Sequence, residues 1–318
     1  MIPSLSHVAS ARDACGVFTI CPTPFAEDGR VDLHAIDRLV ALQAATGVAG
    51  LAVLGFLGEA HKLSNAERDA VLRRYLAAAG SLPVWVGVRA LGTAGAVEQA
   101  MQAQDLGAAA VFAAPLDGAS DALQFDHYAA IARAVRIPVV IHDFPASFET
   151  EIRPEVVARL ALEGGVDLIK MEEPPVGQKI SRIRALSGDR VRIFGGLGGV
   201  YFFEELQRGA VGTMTGFAFP EVLVAIHRRH AAGDVAGAAA LFDRYLPLIR
   251  YEFQPRIGLA LRKHVYLRRG VLGSDHLRAP GMTLDPVTRQ ELEATVARVG
   301  LRLDVRGPQT IDLGGLRG

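Results

Sequence analysis

The chain has 318 residues, half of them hydrophobic, enough to bury a full core in a single α/β barrel. Its 34 basic and 34 acidic side chains cancel, so no net field draws it to nucleic acid or acidic lipid. Cys15 and Cys21 are too few for a disulfide framework and read as buried thiols of a reducing compartment. No apolar run reaches the roughly 18 residues of a membrane span, and the first dozen residues lack a signal-peptide core, so a cytoplasmic location is expected.

Along the chain, short Val/Ile/Leu-rich runs alternate with longer amphipathic stretches, the rhythm of βα units around a buried parallel sheet. Strands are predicted over 16–20, 50–54, 84–88, 110–113, 138–141, 167–170, 192–194 and 212–215. Helices are predicted between them over 33–45, 65–79, 93–106, 122–135, 154–162, 177–186 and 200–208. Ser64 with Glu67 forms a capping-box signature, and Pro154 suits a first helical turn. Eight such units predict an α/β fold of the (β/α)8 barrel type. The expected organisation is an N-terminal extension (1–15), the barrel (16–233), a helical extension (234–300) and a loose Gly-rich tail (301–318). Tail helices are predicted over 235–250, 255–269 and 286–299.

Catalytic groups in such barrels gather where strands end. After the second strand, Gly55, Gly58 and Glu59 form a turn whose N–H groups suit a carboxylate, although a plain βα turn reads equally well. Arg89 after the third strand either clamps an anion or is an ordinary surface arginine. Asp117 follows the fourth. After the fifth come His142 and Asp143, which point to opposite faces, so one of them lines the pocket; His142 is the better candidate, with an ordinary pKa suited to proton transfer near neutrality. Lys170 closes the sixth strand in VDLIKMEEPP; strand parity puts Glu172 on its side and Met171 on the other. Burial would favour its free amine, the starting point for Schiff-base chemistry, whereas a salt bridge to Glu172 or Glu173 is the plainer alternative. The run 195–199, with Gly195 and Gly196, either cradles an anion or turns the chain, and Thr215 ends the eighth strand.

Five segments in order, TPFAEDGRVD, GFLGEAHKLSNAER, PVVIHDFP, VDLIKMEEPP and GAVGTMTGFAFPE, make the chain similar to the dihydrodipicolinate synthase / N-acetylneuraminate lyase family. The resemblance implies a barrel with a C-terminal helical extension, assembled as a homotetramer (or dimer). It also implies lysine-imine chemistry on pyruvate or a longer 2-oxo acid, with no metal or other cofactor. Lys170 matches the family's lysine. Departures are informative: Gly-Thr-Thr-Gly-Glu reads Gly55-Phe56-Leu57-Gly58-Glu59, and Tyr-Asn-x-Pro reads His142-Asp143-Phe144-Pro145. Ser147 stands where the synthases have arginine, and Pro-Tyr-Tyr reads Pro115-Leu116-Asp117.

The expected function is therefore a Schiff-base lyase, aldolase or dehydratase, other than the lysine-pathway synthase. Lys170 is the nucleophile, His142 and Glu172 move protons, and the N–H groups of Phe56 and Leu57 hold the carboxylate. One alternative is a non-catalytic 2-oxo acid binding protein. The other is a metal-dependent barrel lyase using His142, Asp143, Glu172 and Glu173, with His61.

Overall fold

A parallel strand covered on both faces has no wet side, so its sequence runs apolar without alternation; eight such runs pair here edge to edge. The computed structural model describes residues 13–311. Its strands are β1 (Gly16–Ile20), β2 (Gly50–Val53), β3 (Val84–Val88), β4 (Ala110–Ala113), β5 (Val139–Asp143), β6 (Leu168–Met171), β7 (Arg192–Gly195) and β8 (Gly212–Thr215). All are parallel, and they close in that order into a barrel with β8 against β1. The fold is the expected (β/α)8 barrel. Residues 1–12 of the predicted N-terminal extension and 312–318 of the predicted tail lie outside the described residues.

Successive strand residues face opposite sides, one into the lumen and one toward the helices. The lower lumen is plugged by aromatic rings: Phe18 and Trp85 centroids are 4.1 Å apart, and each lies 5.5 Å from Phe194. Gly50 makes room for the plug, because a Cβ there would come within 2.3 Å of the Phe18 ring. Val140 and Leu168 belong to this inner cluster, whereas Met171 packs in the outer one. Two residues beyond Val140 and Leu168, His142 and Lys170 also face inward, side by side in register and followed by Phe194.

Helix starts follow their local chemistry. Ser64 accepts from the Glu67 N–H while the Glu67 carboxylate accepts from the Ser64 N–H, completing the capping box. Asp32, Asp234 and Asp285 cap other helices in the same way. The predicted helix 154–162 divides into Pro154–Arg159 and a π-helical turn, Leu160–Gly164. The helix Pro220–Ala231, which completes the eighth unit, has no counterpart among the predicted helices. Its signals are a first-turn proline and the spacing of buried Val222, Leu223 and Ile226.

Helices Val235–Glu252, Gly258–Arg268 and Pro286–Arg298 follow. Arg269, fully buried, pairs with Glu221 at 2.8 Å and donates to the carbonyls of Ala218 and Gly307 at 2.7 and 2.9 Å, binding these helices to the residues after 300. Of the two cysteines expected to be buried, only Cys21 is; Cys15 is exposed. Among the described residues no helix is long and apolar enough to cross a membrane.

Candidate active site

β6 delivers Lys170 to the lumen, and the chain stays extended for one further pairing, the Glu172 N–H donating to the Asp143 carbonyl at 2.8 Å. Parity then returns the Glu172 side chain to the same face, where its Oε2 contacts the Lys170 Nζ. From β5, His142 places Nε2 2.9 Å from Nζ and 3.2 Å from Glu172 Oε2. All three residues are 5 % exposed or less. Burial lowers the pKa of the Lys170 amine, and Glu172 partly restores it.

Glu172 is seated by the turn after β7. The Leu197 N–H donates to its Oε1 at 2.8 Å. A Cβ on Gly196 would lie 2.3 Å from Glu172 Cγ, and one on Gly195 would strike the buried Glu205 carboxyl. The anion held by an N–H of this run is the protein's own Glu172, and the space beside Gly195 and Gly196 is filled by Glu205 and Glu172 side chains. Leu197 adopts φ 47°, a left-handed conformation that a branched residue holds only under constraint. Burial pushes the Glu172 carboxyl up, but the Lys170 ammonium and the His142 hydrogen bond overcome it and hold the pKa at about 2.

His142 is enclosed by Phe112 and Phe148 rings, edge-on at 5.5 and 5.0 Å. Burial, then the neighbouring Lys170 charge, lowers its pKa to about 4. The imidazole is therefore neutral at physiological pH, correcting the expectation that it titrates near neutrality. Its Nε2 either donates to Glu172 or accepts from Lys170, so the tautomer follows the protonation state of the amine.

The turn after β2 uses the Gly58 and Glu59 N–H groups internally, on Gly55 and Phe56 carbonyls at 3.1 and 3.0 Å. The N–H groups of Phe56 and Leu57 donate to no acceptor among the described residues. A cavity opens beside them, lined by Gly55, Phe56, His61, Arg68, Arg89, His142 and Phe148. Phe56 stacks on His61 at 5.0 Å, and the exposed Arg89 guanidinium lies 5.0 Å over the Phe148 ring. Lys170 is not among the lining residues, but its Nζ is 2.9 Å from the Nε2 of His142, which is. Arg68 was missed in the sequence; it lies three residues past the Asn65 helix start, where an arginine reads as surface.

Other predicted pocket residues are turned elsewhere. Glu59 is fully buried, with Lys263 and Lys62 ammonium groups at 2.5 and 2.8 Å, so its carboxylate is structural. Thr215 is out of phase with Met214, which faces the lumen, and so faces the helices alongside Thr19. Asp117 is exposed on the turn after β4. Ser147 is half-buried in the short helix Pro145–Phe148. The metal reading meets a geometric obstacle: Asp143 faces outward to Lys179 at 2.7 Å, and Lys179 also holds Glu173. His142 and Glu172 are inside, so the four donors do not converge. Burial nonetheless raises the Asp143 carboxyl to about 7 against the pull of Lys179.

Residues 13–299 match the family model described as the dihydrodipicolinate synthetase family. The chain is 33% identical over 292 residues to an L-2-keto-3-deoxyarabonate dehydratase of Azospirillum brasilense, covering 89% of this chain and 94% of that one. It is also 33% identical over 299 residues to a 4-hydroxy-tetrahydrodipicolinate synthase of Sorangium cellulosum, covering 90% and 96%. Among solved structures, a dihydrodipicolinate synthase from Rhodopseudomonas palustris superposes with a TM-score of 0.86 at 37% identity, covering 90% of this chain and 98% of that one.

Proposed function

Because the chain belongs to the dihydrodipicolinate synthetase family, whose members are lysine-imine lyases, we propose that it converts a 2-oxo acid through an imine on Lys170. The observation that carries this reading is the buried amine held between a neutral imidazole at 2.9 Å and a carboxylate. Desolvation lowers the pKa of this amine from its ordinary value, toward the free base that attacks a carbonyl. The amine adds to the C2 carbonyl to give a carbinolamine, and loss of water leaves an iminium. Glu172 balances the cation before and after, since ammonium and iminium carry the same charge. His142, neutral and within reach of Nζ, relays the protons of addition and dehydration.

The iminium acidifies C3, and the resulting enamine expels a hydroxyl from C4 or arises by cleavage of the C3–C4 bond. Similarity to the Azospirillum dehydratase supports loss of water as the reaction here. The departures at Phe56, Leu57 and His142 support chemistry other than the lysine-pathway synthase. Free N–H groups at Phe56 and Leu57 bind the substrate carboxylate within the tight turn set by Gly55 and Gly58, and Arg89 meets its distal end. A cytoplasmic homotetramer (or dimer) is part of the same proposal, supported by family resemblance and checked by light scattering.

Borohydride reduction in the presence of pyruvate tests the reading. A stable adduct on Lys170 is expected; wild-type protein that stays unmodified at saturating pyruvate overturns it. Ligand stabilisation without turnover across a 2-oxo acid panel would instead favour the binding-protein alternative.

A further inference from the structure

One charged side chain at the barrel mouth takes no part in the chemistry above. Arg262, on the helix Gly258–Arg268, is 4 % exposed, yet its guanidinium makes no hydrogen bond to any described residue, and its Nε is sealed from solvent without a hydrogen-bond partner. The nearest carboxylate, Glu252, stays at 3.7 Å and already accepts the Ala218 N–H at 3.0 Å. A guanidinium Nε–H left unmet inside a protein is costly, and an acceptor from outside the chain that engages this guanidinium would offset that cost.

Its position says which acceptor. Gly216 follows β8 in phase with Met214 and so faces the lumen. A Cβ there would lie 3.1 Å from Arg262 Nη1 and 3.1 Å from Leu57 Cδ1. The guanidinium is thus beside the turn that presents the two free N–H groups, and its field reaches Lys170 and Glu172. Phe56 and Leu57 contribute no side-chain donor, so that turn by itself is an uncharged cradle.

We propose that Arg262 is the charged member of the substrate-carboxylate site, supplied to the barrel by the C-terminal helices. The 2-oxo acid's C1 carboxylate accepts from Arg262 and from the Phe56 and Leu57 N–H groups while C2 stands at Lys170. This rests on the imine reading of Lys170. It makes the helical extension part of the binding site.

The test is borohydride trapping, read by intact mass, over a pyruvate series and a series of its neutral amide, pyruvamide. In Arg262→Gln the half-saturating pyruvate concentration rises by roughly 10- to 100-fold, the weight of a charge-assisted contact. Half-saturation by pyruvamide stays at the wild-type value, and Arg262→Lys falls between for pyruvate. Equal losses for acid and amide would mark a structural role and overturn the proposal, as would an unchanged pyruvate series. Wild-type protein that traps neither compound removes the imine reading and this one together, whereas a labelled wild type isolates Arg262. Should Arg262→Gln fail to fold, the acid-to-amide ratio in Arg262→Lys decides by the same criterion.

Discussion

Nε2 of His142 lies 2.9 Å from Nζ of Lys170, and parallel pairing of β5 with β6 sets the two residues directly opposite each other. Adjacent strands thus bring a base and a nucleophile together without help from any loop. Glu172 closes the triangle from the first residue beyond β6.

Removing the nucleophile is the first consequence to measure. Lys170→Ala is expected to abolish the borohydride adduct and to lower turnover by on the order of 10⁴-fold or more. Intact mass and steady-state rates check it, and wild-type labelling in that variant would point to a different amine.

His142 makes stability pH-dependent in a definite direction. Its pKa is about 4 in the fold against an ordinary 6.5, so between these values the unfolded chain binds the extra proton. Its contribution is therefore present above pH 6.5 and lost as pH falls toward 4, by about 3 kcal/mol. Burial raises Asp143 and Glu252 to about 7, which tilts stability oppositely over much of this window. The difference between wild type and His142→Asn in urea unfolding isolates the imidazole, and parallel pH curves would refute the assignment.

Gly196→Ala separates the glycine turn's role from a generic loop. The added Cβ meets Glu172 Cγ at 2.3 Å, so the Glu172 side chain is expected to shift from its place beside Lys170. Imine formation at saturating pyruvate should slow by roughly 10-fold or more, as for the loss of one positioned electrostatic partner. A wild-type trapping rate would show that Glu172 tolerates displacement.

Glu59→Gln tests a structural carboxylate. It leaves Lys263, whose pKa burial already lowers to about 8, without its counter-charge. Breaking a buried pair costs about 3–5 kcal/mol, so the urea midpoint should fall sharply while folded protein keeps its pyruvate half-saturation. A stable variant with weakened pyruvate binding would return Glu59 to the substrate site.

Arg89→Ala addresses the far end of the cavity. The exposed guanidinium lies over the Phe148 ring, so pyruvate trapping should change by less than about twofold. KM for longer 2-oxo acids carrying a distal carboxylate should rise by roughly 10-fold. Equal effects on short and long acids would count against a distal role.

Periodicity determined the architecture because a strand buried on both faces and a helix buried on one leave different apolar patterns. The same parity placed Lys170 and Glu172 inward and separated His142 from Asp143 before any coordinates. Parity likewise turns Thr215, one step from the lumen-facing Met214, toward the helices. The helix Pro220–Ala231 escaped because its charged last turn, Arg228-Arg229-His230, hides the apolar spacing before it.

What the sequence by itself determined was the barrel, the lysine and its neighbours on adjoining strands, since local spacing dictates each of these. Only the tertiary structure decided which charges are matched within the protein. Glu59 meets Lys263 across 204 residues, Glu172 meets the Leu197 N–H, and Arg262 arrives at the mouth from a helix beyond the barrel. Burial then set their protonation, because desolvation and partner distance act through space and leave no periodic trace along the chain.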